Sequence, residues 1–400
     1  MAGVEFAERT RELRPTVVNA ILKEVDALKQ SGREPKSLMR GEPDFPTPEH
    51  IVSAAQESLS LGRTRYPNNR GEPRLRKAVQ NSLKVRTGLS YCDSEEILIT
   101  TGATFGIYAA LSSLVNPGDE VLLPEPVYDA YHGVIQLLGG KIRPVSGRLQ
   151  CGRFVLDLDQ MAAISGSETR VLILNNPWNP TGTVFRRQEL DRIMAIARDQ
   201  NFWVISDEIY DSILYGNREH VSPASVSQDA RERTIIVNSL SKTYAMTGWR
   251  LGYCAGPSAI METMFLVLQQ SSRGPVTYVQ DAASVALEGS QETVVAMRQE
   301  YERRCSQVCE VLDGIPSVSV VVPEGGFFAM LDVRELAMSS DRIRRKLLQE
   351  YEVVVIHGAA YGESAEGTLR VSFASGGDNL QQGLMRLRKG LSELAAGSSI

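Results

Sequence analysis

Histidine and cysteine are scarce, with four of the former and five of the latter in 400 residues. His50, His132, His220 and His357 share no motif and no His-Glu-x-x-His occurs, so a zinc hydrolase or a histidine-based triad has little to stand on. The cysteines form no Cys-x-x-Cys pair; Cys305 and Cys309 share a helix face, but no second pair stands nearby to complete a metal site. Reduced thiols in a cytoplasmic protein are the expectation. Also missing are Gly-x-Gly-x-x-Gly and a phosphate loop ending in Gly-Lys-Ser/Thr. No run approaches the roughly 20 apolar residues that span a bilayer, and the opening stretch MAGVEFAERTRELRP lacks the apolar core of a signal peptide. Positive charge is not in excess either: 43 Lys and Arg against 48 Asp and Glu give a net charge of −5. No overall field then draws the chain to nucleic acid or an anionic membrane, and a small molecule is the expected ligand.

With 42% hydrophobic and 23% charged residues, the chain can bury a large core. Through the middle, β-branched apolar runs alternate with helical patterns: strand Glu96 to Thr100, helix Ala103 to Leu114, a break at Asn116-Pro117-Gly118-Asp119, then a strand from Glu120. The rhythm continues through strands at Lys141 to Val145, Arg170 to Leu174, Trp203 to Asp207 and Thr234 to Asn238. This βαβ alternation predicts an α/β fold with a mostly parallel sheet covered by helices. Both ends read as a smaller α+β lobe. A helix near Thr16 to Gln30 precedes Gly41-Glu42-Pro43-Asp44-Phe45-Pro46, and a second helix is expected with Thr47 as N-cap and Pro48 in its first turn. Past about residue 285 come a long charged helix, Glu292 to Leu312, short strands, another helix, a last strand Thr368 to Phe373 and a soft tail from Ala395. The expected division is 1–45 in the small lobe, 46–285 in a large ligand-binding domain and 286–400 in the small lobe again.

Three polar segments follow expected strands, at the carboxyl edge where open α/β sheets hold ligands. They are Asn175-Asn176-Pro177-Trp178-Asn179-Pro180-Thr181-Gly182, Ser206-Asp207-Glu208-Ile209-Tyr210, and the stretch from Ser239 to Arg250 containing Lys242. Most lysines are solvated surface residues. Lys242 differs in having Arg250 close by in a loop otherwise without charge; in a partly desolvated cleft its pKa falls and it becomes an amine able to form a Schiff base. Asp207 ends an apolar strand, so its carboxylate is expected to be buried and to need a cationic partner. A carboxylate for a ring nitrogen, an amine for an aldehyde and an arginine for a phosphate are what pyridoxal phosphate requires.

Taken together, and in this order from Gly41-Glu42-Pro43-Asp44-Phe45 to Leu369-Arg370-Val371-Ser372-Phe373, the motifs resemble the class I/II pyridoxal-phosphate-dependent aminotransferases of fold type I, close to the aspartate and aromatic branch. The resemblance implies that Lys242 holds the cofactor covalently and shuttles a proton, that Asp207 pairs with the ring nitrogen, and that Tyr210 and Asn179 bond the phenolic oxygen. It gives Ser239, Arg250 and the backbone of Gly102-Ala103-Thr104 to the phosphate. The last assignment also has a direct reason, since a helix N-terminus offers free amides to an anion. Tyr128 would stack on the cofactor ring. Arg370 would grip the substrate α-carboxylate in a two-pronged contact, although strand alternation alone would make it an exposed arginine. Gly41 would add a backbone amide there, with Tyr361 nearby. Tyr66 would reach the phosphate of the other subunit, which implies a homodimer with shared active sites.

The reaction so implied is ping-pong transfer of the α-amino group between an amino acid and a 2-oxo acid. The same apparatus also serves β- or γ-elimination or replacement, decarboxylation and oxidative deamination in related enzymes, and these alternatives stay open. A ligand-sensing regulator would need a basic DNA-binding module, and none is expected in the short segment before the first helix. The segment Leu268 to Pro275, where dicarboxylate-specific relatives carry a partner-subunit arginine, has glutamine near that position. Arg273, Arg63 and Arg65 are the candidate substitutes. Trp178 stands where a small or polar residue is more usual. Neutral or aromatic side chains are therefore expected to be accepted at least as well as aspartate.

Overall fold

The computed structural model describes residues 6–11 and 13–397. Strands, numbered in chain order, are β1 (Lys36–Ser37), β2 (Ile97–Thr100), β3 (Glu120–Glu125), β4 (Lys141–Gln150), β5 (Arg153–Leu156), β6 (Thr169–Asn175), β7 (Trp203–Asp207), β8 (Thr234–Ser239), β9 (Gly252–Ala255), β10 (Ser319–Val321), β11 (Phe328–Asp332), β12 (Val353–Val354), β13 (Ile356–His357) and β14 (Thr368–Ser372).

Eight of these make one sheet in the order β2-β9-β8-β7-β6-β3-β4-β5. The pairs from β8 through β4 are parallel, whereas β9 runs against both neighbours and β5 closes a hairpin on β4. Helices cover both faces, so β8 is buried along its whole length and the residues Val171–Asn175 and Val204–Asp207 are buried within β6 and β7. That burial is why these strands read as unbroken apolar runs rather than as alternation. Because β2, β3, β6, β7 and β8 point the same way, their carboxyl ends lie along one edge. Residues 103, 128, 179, 207 and 242, far apart in the chain, are gathered there.

The second sheet, β10-β11-β14-β13, is antiparallel throughout and packs with the helices Glu292–Leu312, Ser340–Tyr351 and Gly377–Gly397. The N-terminal segment joins it by a short parallel pairing of β1 with β12.

Several local expectations change. The helix at residue 49 (Glu49–Ser60) is capped by Pro48, not Thr47. Thr47 instead donates its hydroxyl to the Ala245 carbonyl at 2.8 Å and accepts from the Trp249 indole at 3.0 Å, tying the start of this helix to the loop after Lys242. The chain from Ala395 to Gly397 continues the last helix rather than forming a soft tail; the final three residues lie outside the described ones. No helix among the described residues is long and apolar enough to cross a membrane.

Candidate active site

A cavity of about 530 Å³ opens at the carboxyl edge of the large sheet, roofed by residues 39–42, Phe328 and Arg370. Lys242 enters it from the short helix Leu240–Thr243 that follows β8. Its amine donates to the Gly41 carbonyl at 2.7 Å. Burial, and then the nearby Arg250 and Arg370, lowers its pKa to about 8 against the opposing pull of Glu42 and Asp207. The amine is thus easier to discharge than an ordinary lysine.

Asp207, the last residue of β7, is buried at the cavity floor. No cation lies within ion-pair distance of it among the described residues, so it forms no structural ion pair with an arginine. It accepts instead from the Tyr131 hydroxyl at 2.6 Å and the Ile209 amide at 3.2 Å. Burial outweighs these bonds and raises its carboxyl to about 6. Its neighbour Glu208 is fully buried too, but is satisfied outside the cavity by Ser206, Ser222 and His220. Of the two acids, only Asp207 lacks a resident charge partner.

Arg370 is 4% exposed, not solvated as alternation alone would have it. The alternation itself holds: Leu369, Val371 and Phe373 enter the core of the small sheet and Arg370 points the other way. Its guanidinium lies 4.1 Å from the centre of the Phe328 ring, donates to Asn179 Oδ1 at 3.3 Å and donates to the Met39 carbonyl, while its Nε is buried without a partner. An unpaired donor on a buried cation is costly unless an anion arrives to meet it.

Arg250 sits in the left-handed region, at φ 52°, and has no carboxylate partner among the described residues. Its Nη1 donates to the Thr247 carbonyl at 2.9 Å, and its Nη2 lies over Gly102, where an added Cβ would come within 2.8 Å. Gly102 also has φ +79°, so a side chain there is excluded twice, by strain and by the guanidinium. Ala103 and Thr104 begin the helix Ala103–Leu114, and both line the cavity beneath Arg250. An arginine above a helix N-terminus is an anion site by construction.

Ser239 lines the cavity, yet its hydroxyl already serves the turn, bonding Ser241 Oγ and the Leu251 carbonyl, each at 2.8 Å, and accepting from the Ser241 amide. Ser241 was not singled out by the sequence reading and lines the cavity beside it. Asn179 is buried, with its amide held by Asn175 Oδ1 at 2.7 Å. Tyr210 meets Phe327 and Phe328 edge-on, and burial pushes its phenol far above the usual value. Tyr128 lies across the cavity edge-on to Tyr131.

Two expected residues stand apart. Tyr361 does not line the cavity; its buried, unpartnered hydroxyl belongs to a ring 5.2 Å from the Arg370 guanidinium. Tyr66 is 92% exposed and does not line this chain's own cavity. Trp178 is also absent from the lining: it donates to the Pro126 carbonyl and stacks on Phe185, so it fills space. Tyr131 went unrecognised in the sequence, although it stands one helical turn after Tyr128 on the helix Ala130–Leu137.

The residues thus gathered fall within one family profile. The description "Aminotransferase class I and II" matches residues 36–386. The chain belongs to this family. An aspartate aminotransferase of Pyrococcus abyssi is 38% identical over 361 residues, 89% of this chain and 92% of the relative. An arginine–pyruvate transaminase of Pseudomonas aeruginosa is 36% identical over 91% of this chain and 92% of its own length. The crystal structure of an aspartate aminotransferase from Rhizobium meliloti superposes with a TM-score of 0.93 at 30% identity, covering 97% of this chain and 99% of that one. The two-sheet architecture of this aminotransferase is therefore the fold type I arrangement.

Proposed function

We propose that this aminotransferase binds pyridoxal 5′-phosphate in the cavity and moves the α-amino group of an amino acid to a 2-oxo acid. The observation that carries the reading is the desolvated Lys242 amine standing in one cavity with a buried carboxylate and two arginines, none of the three last having an ionic partner among the described residues. Each unmet group fits one part of the cofactor or substrate: Lys242 an aldehyde, Asp207 a cationic ring nitrogen, Arg250 with the amides of Ala103 and Thr104 a phosphate, and Arg370 a carboxylate.

Bound there, pyridoxal phosphate would supply an electrophilic carbon for an amine and a protonated ring able to draw electron density from Cα. Arg370, with Asn179 alongside and the backbone of Gly41 and the ring of Tyr361 near, orients the substrate through its α-carboxylate. Lys242, its amine more readily discharged through the lowered pKa, would be the group that takes up and returns the proton of the substrate Cα. Asp207 would hold the proton on the ring nitrogen. Tyr210 and Asn179 would bond the phenolic oxygen, Tyr128 would cover the ring, and Ser239 with Ser241 would edge the phosphate. The chain is read as a cytoplasmic homodimer, with Tyr66 serving the phosphate of the opposite subunit.

The purified protein should be yellow. Borohydride should bleach the band and fix the cofactor on Lys242, as peptide mapping will show; label on another lysine, or no uptake on reconstitution, overturns the reading. Tyr131→Phe should remove a hydrogen bond to a charged acceptor, worth about 2 kcal/mol. That bond lowers the Asp207 pKa, so its loss should raise the acidic limb of the kcat–pH profile and reduce kcat roughly tenfold. An unmoved limb would leave Tyr131 a packing residue. Composite sites make a third prediction: mixing inactive Lys242→Ala and Tyr66→Ala proteins should restore activity, because each heterodimer keeps one site with both groups. No recovery in verified heterodimers would place every site within one chain.

A further inference from the structure

Four cationic side chains line the cavity: Lys242, Arg250, Arg370 and Arg40. The reading above uses the first three and leaves Arg40 over. Its backbone is fixed at the centre of the site. The carbonyls of Met39, Arg40 and Gly41 accept in succession from the Arg370 guanidinium, the Ser372 hydroxyl and the Lys242 amine. Arg40 therefore leaves the backbone between the residues whose carbonyls hold the group for the α-carboxylate and the group for the Cα proton, in the wall of the cavity that a substrate would enter.

Its guanidinium is little committed. Among the described residues its one ionic neighbour is Glu42, at 3.8 Å, with the two side chains 58% and 54% exposed. Glu42 is itself engaged by the Thr247 hydroxyl at 3.0 Å. A long, exposed pair of this kind contributes about 0–1 kcal/mol and yields readily to a better acceptor. The other candidates are placed differently. Within this chain Arg63 is held by Asp281 and Glu72, and neither Arg65 nor Arg273 lines the chain's own cavity, so Arg40 is the uncommitted guanidinium that the chain supplies to its own site. Met39 and Leu22 add apolar surface along the wall, suited to the methylene groups that precede a terminal charge.

We infer that Arg40 is the specificity-determining residue for the side chain, receiving the distal carboxylate of a dicarboxylic substrate, an acidic amino acid or its 2-oxo acid. This rests on the aminotransferase reading of the site. It revises the expectation of a pocket indifferent to acidic side chains, because the desolvation of a side-chain carboxylate is then met by a fork-shaped donor. Glu42 competes for the same guanidinium and should weaken the preference.

The test uses the holoenzyme and kcat/KM for glutamate, aspartate, methionine and phenylalanine as donors, and for 2-oxoglutarate and pyruvate as acceptors. Arg40→Met keeps the stem and removes the charge; it should lower the glutamate-to-methionine and 2-oxoglutarate-to-pyruvate ratios about thirtyfold, the scale of a lost charged hydrogen bond. Arg40→Lys should fall between. Glu42→Gln should raise the same ratios, an opposite sign that misfolding cannot produce. Ratios that stay within about threefold in both Arg40 variants, or a wild-type enzyme that turns over neutral substrates but neither acidic amino acids nor 2-oxoglutarate, overturn the role of Arg40 alone. A wild-type holoenzyme that transaminates none of these compounds overturns the aminotransferase reading instead.

Discussion

Lys242→Ala should abolish turnover, lowering kcat by roughly 10⁴-fold or more, the upper range for loss of a positioned proton-transfer group. The fold should survive, because the amine makes one hydrogen bond, to the Gly41 carbonyl, and its charge is disfavoured by burial. The sign of that penalty is testable. Lys242 titrates near pH 8 in the folded chain against an ordinary lysine value of 10.5. Below about pH 8 the group is charged in folded and unfolded chains alike, and the folded form bears the cost. Between about 8 and 10.5 the folded chain has released the proton and the unfolded chain has not, so this group makes the apoprotein more stable as pH rises through that window. Lys242→Met should flatten this rise in thermal melts. Cofactor uptake by wild-type apoprotein should likewise quicken as pH climbs through about 8, because the neutral amine is the nucleophile. An uptake rate flat from pH 7 to 9 would show that the discharged amine is not limiting.

How much of this was legible in sequence depended on the distance over which a residue acts. The strand at Trp203–Asp207 and the helices Ala103–Leu114 and Glu292–Leu312 match their sequence bounds, since apolar runs and helical periods are local signals. Strand β4 extends five residues past Val145 to pair with β5, and that hairpin was missed: its outer residues are partly exposed and carry little apolar pattern. The helices Pro73–Thr87, Ser258–Gln270 and Thr277–Glu288 also went unread. At the site, Lys242, Asp207 and Asn179 stood out because each follows an apolar strand. The partner of Asp207 did not, since Tyr131 lies 76 residues away and only the sheet order brings it near. Arg40 was hidden for a similar reason. In sequence it is one more charge before a glycine; in the fold it lies between residues whose carbonyls hold Arg370 and Lys242.

Asp207→Asn should separate catalysis from folding, because its two effects run in opposite directions. The amide oxygen of asparagine can still accept from the Ile209 amide in the place of Oδ1, and its NH2, in the place of Oδ2, can donate to the Tyr131 hydroxyl oxygen once that hydroxyl turns, so both contacts can be kept with one reversed in direction. Burial raises the wild-type carboxyl from 3.8 to about 6. The folded chain therefore binds more protons than the unfolded one between those values, and wild-type apoprotein loses stability as pH rises through about 4 to 6 and stays lower above it. The neutral asparagine carries no such cost. Apoprotein of the variant should melt at the same temperature as wild type or higher at pH 7 to 8, with the difference shrinking toward pH 4. Activity should move the other way. Without a carboxylate the ring nitrogen is no longer held protonated, and loss of charge stabilisation aimed at a developing carbanion costs on the order of 10²- to 10³-fold in kcat. Single-turnover rates with the cofactor loaded, measured beside melting curves of the apoprotein, make the comparison. Near-normal rates would show that another group protonates the ring, and a lowered apoprotein melting temperature at pH 7 would mean that Asp207 serves the fold before it serves the chemistry.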